Sequence, residues 1–136
     1  MNARRGTRSD ATALSIALVT IAAILLSLTQ VFASEADVVA VDATAESGGT
    51  WRFDVTVRHA DEGWEHYADK WVVQGPDGTV YGERVLLHPH ETEQPFTRSQ
   101  TGIAIPDAVS SVIVKAHDSV HAFGGQEMTV DLDALR

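Results

Sequence analysis

Trp51-Arg52-Phe53-Asp54-Val55-Thr56-Val57-Arg58 alternates large apolar and polar residues without a break. A β-strand turns successive side chains to opposite faces. Trp51, Phe53, Val55 and Val57 therefore share one side, and Arg52, Asp54, Thr56 and Arg58 the other. No helix places those four apolar residues on one face. The segment reads as a strand with one buried and one wetted face.

Working outward, Val38-Val39-Ala40-Val41 is expected as a preceding strand, separated from the first by the turn Ala45 to Thr50. Tyr67 to Gln74 is the next strand, with Tyr67, Asp69, Trp71 and Val73 expected on one face and Ala68, Lys70, Val72 and Gln74 on the other. Gly75-Pro76-Asp77-Gly78 closes a tight turn, because Pro fixes φ at its first central position and Gly accepts positive φ. Thr79 to Leu87 returns as the hairpin partner. Residues 88–101 are polar and hold two prolines, so they read as a long connection. Ile103 to Ile105, Ser111 to Ala116 and Met128 to Leu132 complete the strands, and only residues 106–111 suggest a helical turn.

About seven short strands punctuated by turns describe an all-β, two-sheet sandwich of the immunoglobulin or fibronectin type III-like class. Trp71 is its expected core tryptophan, with Trp51 and Phe53 packed on it; burying each such aromatic contributes roughly 1.5–3 kcal/mol. The chain has no cysteine, so no disulfide, thiolate metal site or lipid-modified cysteine is available, and the core must hold the fold by itself.

The N-terminus carries a different signal. Arg4, Arg5 and Arg8 precede a run without charge from Ala11 to Ala33, which ends in Val31-Phe32-Ala33. A basic flank, an apolar middle and a small-residue exit describe a secretory signal peptide over residues 1–33, with an uncleaved membrane anchor as the alternative. Gly6-Thr7-Arg8 lacks the apolar pair that completes a twin-arginine signal. Either reading puts residues 34–136 outside the cytoplasm as one domain, periplasmic or secreted, and anchored if the segment is retained.

Of the chain's 10 basic and 19 acidic residues, the leader holds three arginines and Asp10, which leaves 7 and 18 in the domain and a formal charge of −11. That field repels nucleic acid and anionic lipid and attracts cations. The membrane is then a partner only through the N-terminal segment, and a protein partner stays open.

All six histidines fall in the domain, most of them at strand ends or in connections. Imidazole suits copper and zinc, so His66, His88, His90, His117 and His121 are the candidate ligands. Antiparallel pairing about the 75–78 turn is expected to bring His66 close to His88. Glu65, Glu91 and Asp118 are candidate orienting carboxylates. His59 beside Asp61 reads as solvated. Arg98 is expected to pair with Asp69 or Glu91 and tie the long connection to the body. Ser119 between His117 and His121 has the residue types of a hydrolase triad, but neighbours in sequence cannot adopt triad geometry, and no Gly-x-Ser-x-Gly turn is present.

The strings Gly63-Trp64-Glu65-His66-Tyr67-Ala68-Asp69-Lys70-Trp71, Leu86-Leu87-His88-Pro89-His90, Glu93-Gln94-Pro95-Phe96-Thr97-Arg98-Ser99 and His117-Asp118-Ser119-Val120-His121 resemble a family of small exported bacterial proteins without an assigned activity. The resemblance spans about residues 51–132. It implies an immunoglobulin-like sandwich and transfers no catalytic residue. Three functions follow as expectations: an exported non-catalytic domain binding Cu(II) or Zn(II) through loop histidines; a structural or protein-interaction module with an apolar patch near Phe96 or Phe123; and a hydrolase.

Overall fold

The computed structural model describes residues 34–136, so the N-terminal segment read above as a leader or anchor lies outside the described residues. Eight strands follow in order: β1 Asp37–Ala45, β2 Thr50–Arg58, β3 Ala68–Gln74, β4 Val80–Val85, β5 Phe96–Ala104, β6 Ser111–Asp118, β7 Ala122–Phe123 and β8 Met128–Asp131. A 3-10 turn, Asp133–Leu135, ends the chain. One sheet runs β1-β2-β5. The other runs β4-β3-β6, with the short β7 and β8 sharing the far edge of β6, and every pairing is antiparallel. The protein is the all-β, two-sheet sandwich that its strand pattern demands.

The inner faces follow the period-2 rule closely. On β2, Trp51, Phe53, Val55 and Val57 are all buried, and on β6 Val112, Val114 and Ala116 meet them from the opposite sheet. Trp71 and Phe53 have no exposed surface, and Phe96 closes the core at one end. The 75–78 turn forms as its residues require: Gly78 sits at φ +87°, and its N–H donates to the Gly75 carbonyl at 3.0 Å.

Three expectations need correction. Asp69 does not take the expected face of Trp71, because β3 carries a bulge between Ala68 and Lys70, which pair with Asp118 and His117. The extra residue shifts the phase of the strand. Ala68 and Trp71 are both inward, and Asp69 turns to the outer side beside His117. The connection expected over residues 88–101 is in part a strand, since β5 begins at Phe96 and pairs with β2 from Val57 to Thr50. Its polar side chains satisfy one another across the outer face, where Thr56 and Thr97 hydroxyls lie 2.8 Å apart and Ser99 donates to Asp54. An apolar alternation is absent because only Phe96 and Ile103 of this strand are buried. Finally, the helical turn expected over 106–111 is a single tight turn from Pro106 to Val109, closed by Val109 N–H donating to the Pro106 carbonyl, because Ser111 already begins β6.

The N-terminal strand is held at its start by Val38 N–H donating to the Gln126 carbonyl at 2.8 Å and Gln126 N–H donating to Asp37. This approach requires glycine at 125, where a Cβ would lie 2.1 Å from the Ala36 carbonyl oxygen. Gly125→Ala is expected to destabilise the protein by about 1–3 kcal/mol through backbone displacement. A urea midpoint unchanged from the parent would contradict it.

Candidate functional site

Five segments meet at one end of the sandwich: the entry to β1, the β2–β3, β4–β5 and β6–β7 connections, and the bend before β8. The site is built where the inward face of β2 runs past its last paired residue. His59 and Asp61 continue the spacing of Val55 and Val57, and both are buried, His59 with 3% of its surface exposed. The expectation that His59 is solvated is thereby overturned. On β6 the same parity carries Val112, Val114 and Ala116 on to Asp118, which is fully buried.

Two buried carboxylates flank the His59 ring. Its Nδ1–H donates to Asp61 Oδ1 at 2.6 Å, and its Nε2 faces Asp118 Oδ2 at 4.0 Å. Asp61 is fixed from two further sides, accepting the N–H of Ala68 at 2.9 Å and of His90 at 2.6 Å. His66 Nε2 approaches Asp118 Oδ1 at 3.4 Å, and the rings of His59 and His66 meet edge-to-face at 4.8 Å. Asp118 Oδ1 also accepts the N–H of Val120 and of His121, with His121 Nδ1 at 3.2 Å.

Electrostatics follow from this packing. Burial pushes the Asp61 carboxyl up, but the His59 bond and the two backbone N–H groups outweigh it and hold Asp61 below the usual carboxylate range. Burial likewise pushes Asp118 up, while the N–H groups of His121 and Val120 and the neighbouring imidazoles bring it down. Burial pulls His59 down, but the hydrogen bond and charge of Asp61, with the charge of Asp118, leave it raised. His90 is lowered, by burial first and then by the Arg98 and His88 charges.

His66 Nε2 and Asp118 Oδ2 are buried without a hydrogen-bond partner, and so is His59 Nε2 apart from the Ser34 backbone near its ring, which is too poorly aligned to make a full bond. One ligand atom from each of these three residues can be chosen so that all lie within 4.8 Å of one another. Donor atoms about 2.0–2.2 Å from a tetrahedral ion stand about 3.3–3.6 Å apart, so closure of the cluster needs only small side-chain shifts. With Nδ1–H on Asp61, Nε2 is the nitrogen of His59 that faces inward, and an ion bound there takes the place of the proton that the two carboxylates favour.

The remaining candidates sort differently. Of the five histidines read as ligands, His66 is at the centre and His121 at its rim. His88 is exposed and lies against His90, ring to ring at 4.5 Å; its Nδ1 is beside the Pro89 carbonyl. His90 is buried, stacked on Phe96 at 3.8 Å, with Nδ1 3.8 Å from Asp61. The expected meeting of His66 and His88 fails because β4 pairing ends at Val85, leaving His88 in the connection while His66 turns inward. His117 is on the outer face, bonded to Asp69 at 2.6 Å. Glu65 and Glu91 are exposed and orient no imidazole. Asp118, read as an orienting group, is itself in the cluster. Arg98 pairs with Glu93 rather than Asp69 or Glu91, because both lie at the start of β5 and its approach. Ser119 Oγ contacts Tyr67 N–H and the Glu65 carbonyl, so it serves the backbone rather than an imidazole. Phe96 is buried, and the exposed edge of Phe123 lies between Lys115 and His117.

Over 100 residues the chain is 44% identical to a protein of Halomicrobium mukohataei named "Putative lipoprotein". The aligned stretch covers 74% of this chain and 49% of that protein, so the chain spans about half the length of the relative it matches. No family model matches the chain, and no solved structure matches it.

Asp61→Asn is expected to destabilise the metal-free protein by about 3–5 kcal/mol, since it leaves one side of a buried pair uncompensated. The pH dependence has a definite sign. The raised His59 contributes stability that is complete below its ordinary value of 6.5 and is lost as pH rises through its higher folded value. The lowered Asp61 contributes above its ordinary 3.8 and is lost as pH falls through its folded value. Urea melts across pH in chelator should show both losses in the parent and smaller ones in Asp61→Asn, where Asp118 still titrates and still acts on His59. A pH-independent difference between the two would contradict this.

Proposed function

We propose that this protein is an exported, non-catalytic binding domain that captures Cu(II) or Zn(II) between His59, His66 and Asp118. One observation carries the reading: His59, His66 and Asp118 converge, and each has a buried polar atom that no protein group satisfies with a well-formed hydrogen bond. A buried polar atom left unpaired costs about 1–3 kcal/mol, so three at one point favour a ligand that satisfies them together. Two imidazoles and a carboxylate suit Cu(II) or Zn(II) rather than the all-oxygen preference of Ca(II) and Mg(II), and without cysteine there is no thiolate to select Cu(I). Asp61 holds the other ring nitrogen of His59, the kind of carboxylate bond that orients a ligating histidine.

Export is supported by Arg4, Arg5 and Arg8 before the uncharged run from Ala11 to Ala33, and by the lipoprotein name of the Halomicrobium relative. The placement is extracytoplasmic, with residues 34–136 as the exported domain. Because this chain has no cysteine to carry a lipid, membrane attachment here falls to the apolar segment when it is retained.

Titration calorimetry of the chelator-treated protein should give about one equivalent of Cu(II) or Zn(II), and no response to Ca(II) or Mg(II). His59→Ala with His66→Ala should abolish binding, whereas His88→Ala with His90→Ala should preserve it. Absence of both heat and thermal shift with either transition metal would overturn the reading, as would dependence on His88 and His90 alone.

A protein partner is the second reading. It is favoured by Trp64, Leu87 and Val120, which are 66%, 75% and 58% exposed on three connections at this same end.

A further inference from the structure

The three-donor cluster is graded in depth. The His59 and Asp118 side chains are fully buried, His66 is 13% exposed and His121 35% exposed, so His121 stands between the cluster and solvent. Its place there is not incidental to the fold. Asp118 Oδ1 takes the N–H of Val120 at 2.9 Å and of His121 at 2.7 Å, which curls the 119–121 loop back over the carboxylate. Ala122 follows in the left-handed region at φ +61°, a conformation that costs a non-glycine residue and is kept only where its surroundings demand it. The loop thereby holds the His121 ring edge-to-face against His66, at 5.0 Å between centroids.

A tetrahedral ion on His59, His66 and Asp118 has one position left. A structural or sequestering site fills it with a fourth protein donor, and a catalytic site leaves it to water. Every other histidine is excluded as that donor. His90 is on the far side of Asp61 and buried against Phe96, His88 leans on His90, and His117 is on the outer face. His121 lies outside the three-residue group, with Nδ1 3.2 Å from Asp118 Oδ1 and its ring against His66, and at 35% exposure its ring has room to turn toward the ion.

We propose that His121 exchanges its bond with Asp118 for the metal, so that three imidazoles and one carboxylate form a closed site. This inference rests on the metal-binding reading above. Closure assigns the domain to tight capture rather than to metal-assisted hydrolysis, because no coordination position is left for a water nucleophile.

Pulsed electron paramagnetic resonance of the Cu(II)-loaded full chain counts the coordinated imidazoles. The parent is expected to show three, and His121→Ala two. His121→Ala should bind Cu(II) and Zn(II) at least about tenfold more weakly, as loss of a ligand costs no less than loss of a group that merely orients one. Azide should perturb the Co(II) spectrum of His121→Ala but not that of the parent. Metal-free His121→Ala should keep the parent melting temperature, since the side chain is partly exposed and its loss leaves the core intact. Two imidazoles in the parent, with equal affinity in His121→Ala, would overturn the closed site while leaving the three-residue site standing. A parent that takes up neither metal would overturn both.

Discussion

A carboxylate without access to water has to be satisfied by its surroundings, and Asp61 meets that demand by drawing three segments together. Its oxygens take the ring N–H of His59, the N–H of Ala68 where β3 begins, and the N–H of His90 in the connection to β5. Gln94 repeats the tie, accepting from His59 N–H and donating to the His90 carbonyl. His90 in turn lies flat on Phe96, the residue that closes the core at this end. In a chain without cysteine, this polar knot takes the place that a covalent staple would hold between loops.

The knot also orients a site. With Asp61 on one nitrogen of His59, the other nitrogen has to look inward, toward Asp118 and His66. Asp118 is the counterpart of Asp61: it too is buried, and it too is held by backbone N–H groups, those of Val120 and His121. One carboxylate therefore fixes the ring, and the other fixes the loop that covers it. The acidic field of the domain adds to the attraction for a cation at this point. Unpaired atoms on His59, His66 and Asp118 work against stability, and proteins tolerate such atoms where function uses them.

The bulge at Asp69 shows how a single inserted residue redistributes chemistry. Without it, Asp69 would share the inward face with Trp71, and a third carboxylate would enter the core. With it, Ala68 turns inward, small enough to leave its N–H to Asp61, and Asp69 pairs with His117 on the outer face. The same strand thus serves the buried network on one side and a surface pair on the other.

Alternation determined the β-sandwich and the aromatic core, because a period of two records which face of a strand is buried, and Pro76 with Gly78 determined the 75–78 turn through their backbone angles. Alternation held more than that. Counting on in steps of two from Val57 reaches His59 and Asp61, and from Ala116 it reaches Asp118, so three of the buried polar residues were legible as inward-facing. A histidine beside an aspartate at a strand end resembles a solvated pair, however, unless the inward phase is carried past the end of the apolar run. Tertiary structure decided the rest. No local pattern marks a bulge that changes the phase of β3, or a polar strand such as β5 whose side chains are satisfied by a neighbour far away in sequence. Nor does any pattern reveal that His66 and His121 arrive from separate loops at one carboxylate while His88, His90 and His117 do not. Convergence of that kind depends on where strand pairing stops, and it is set by distance in space rather than spacing along the chain.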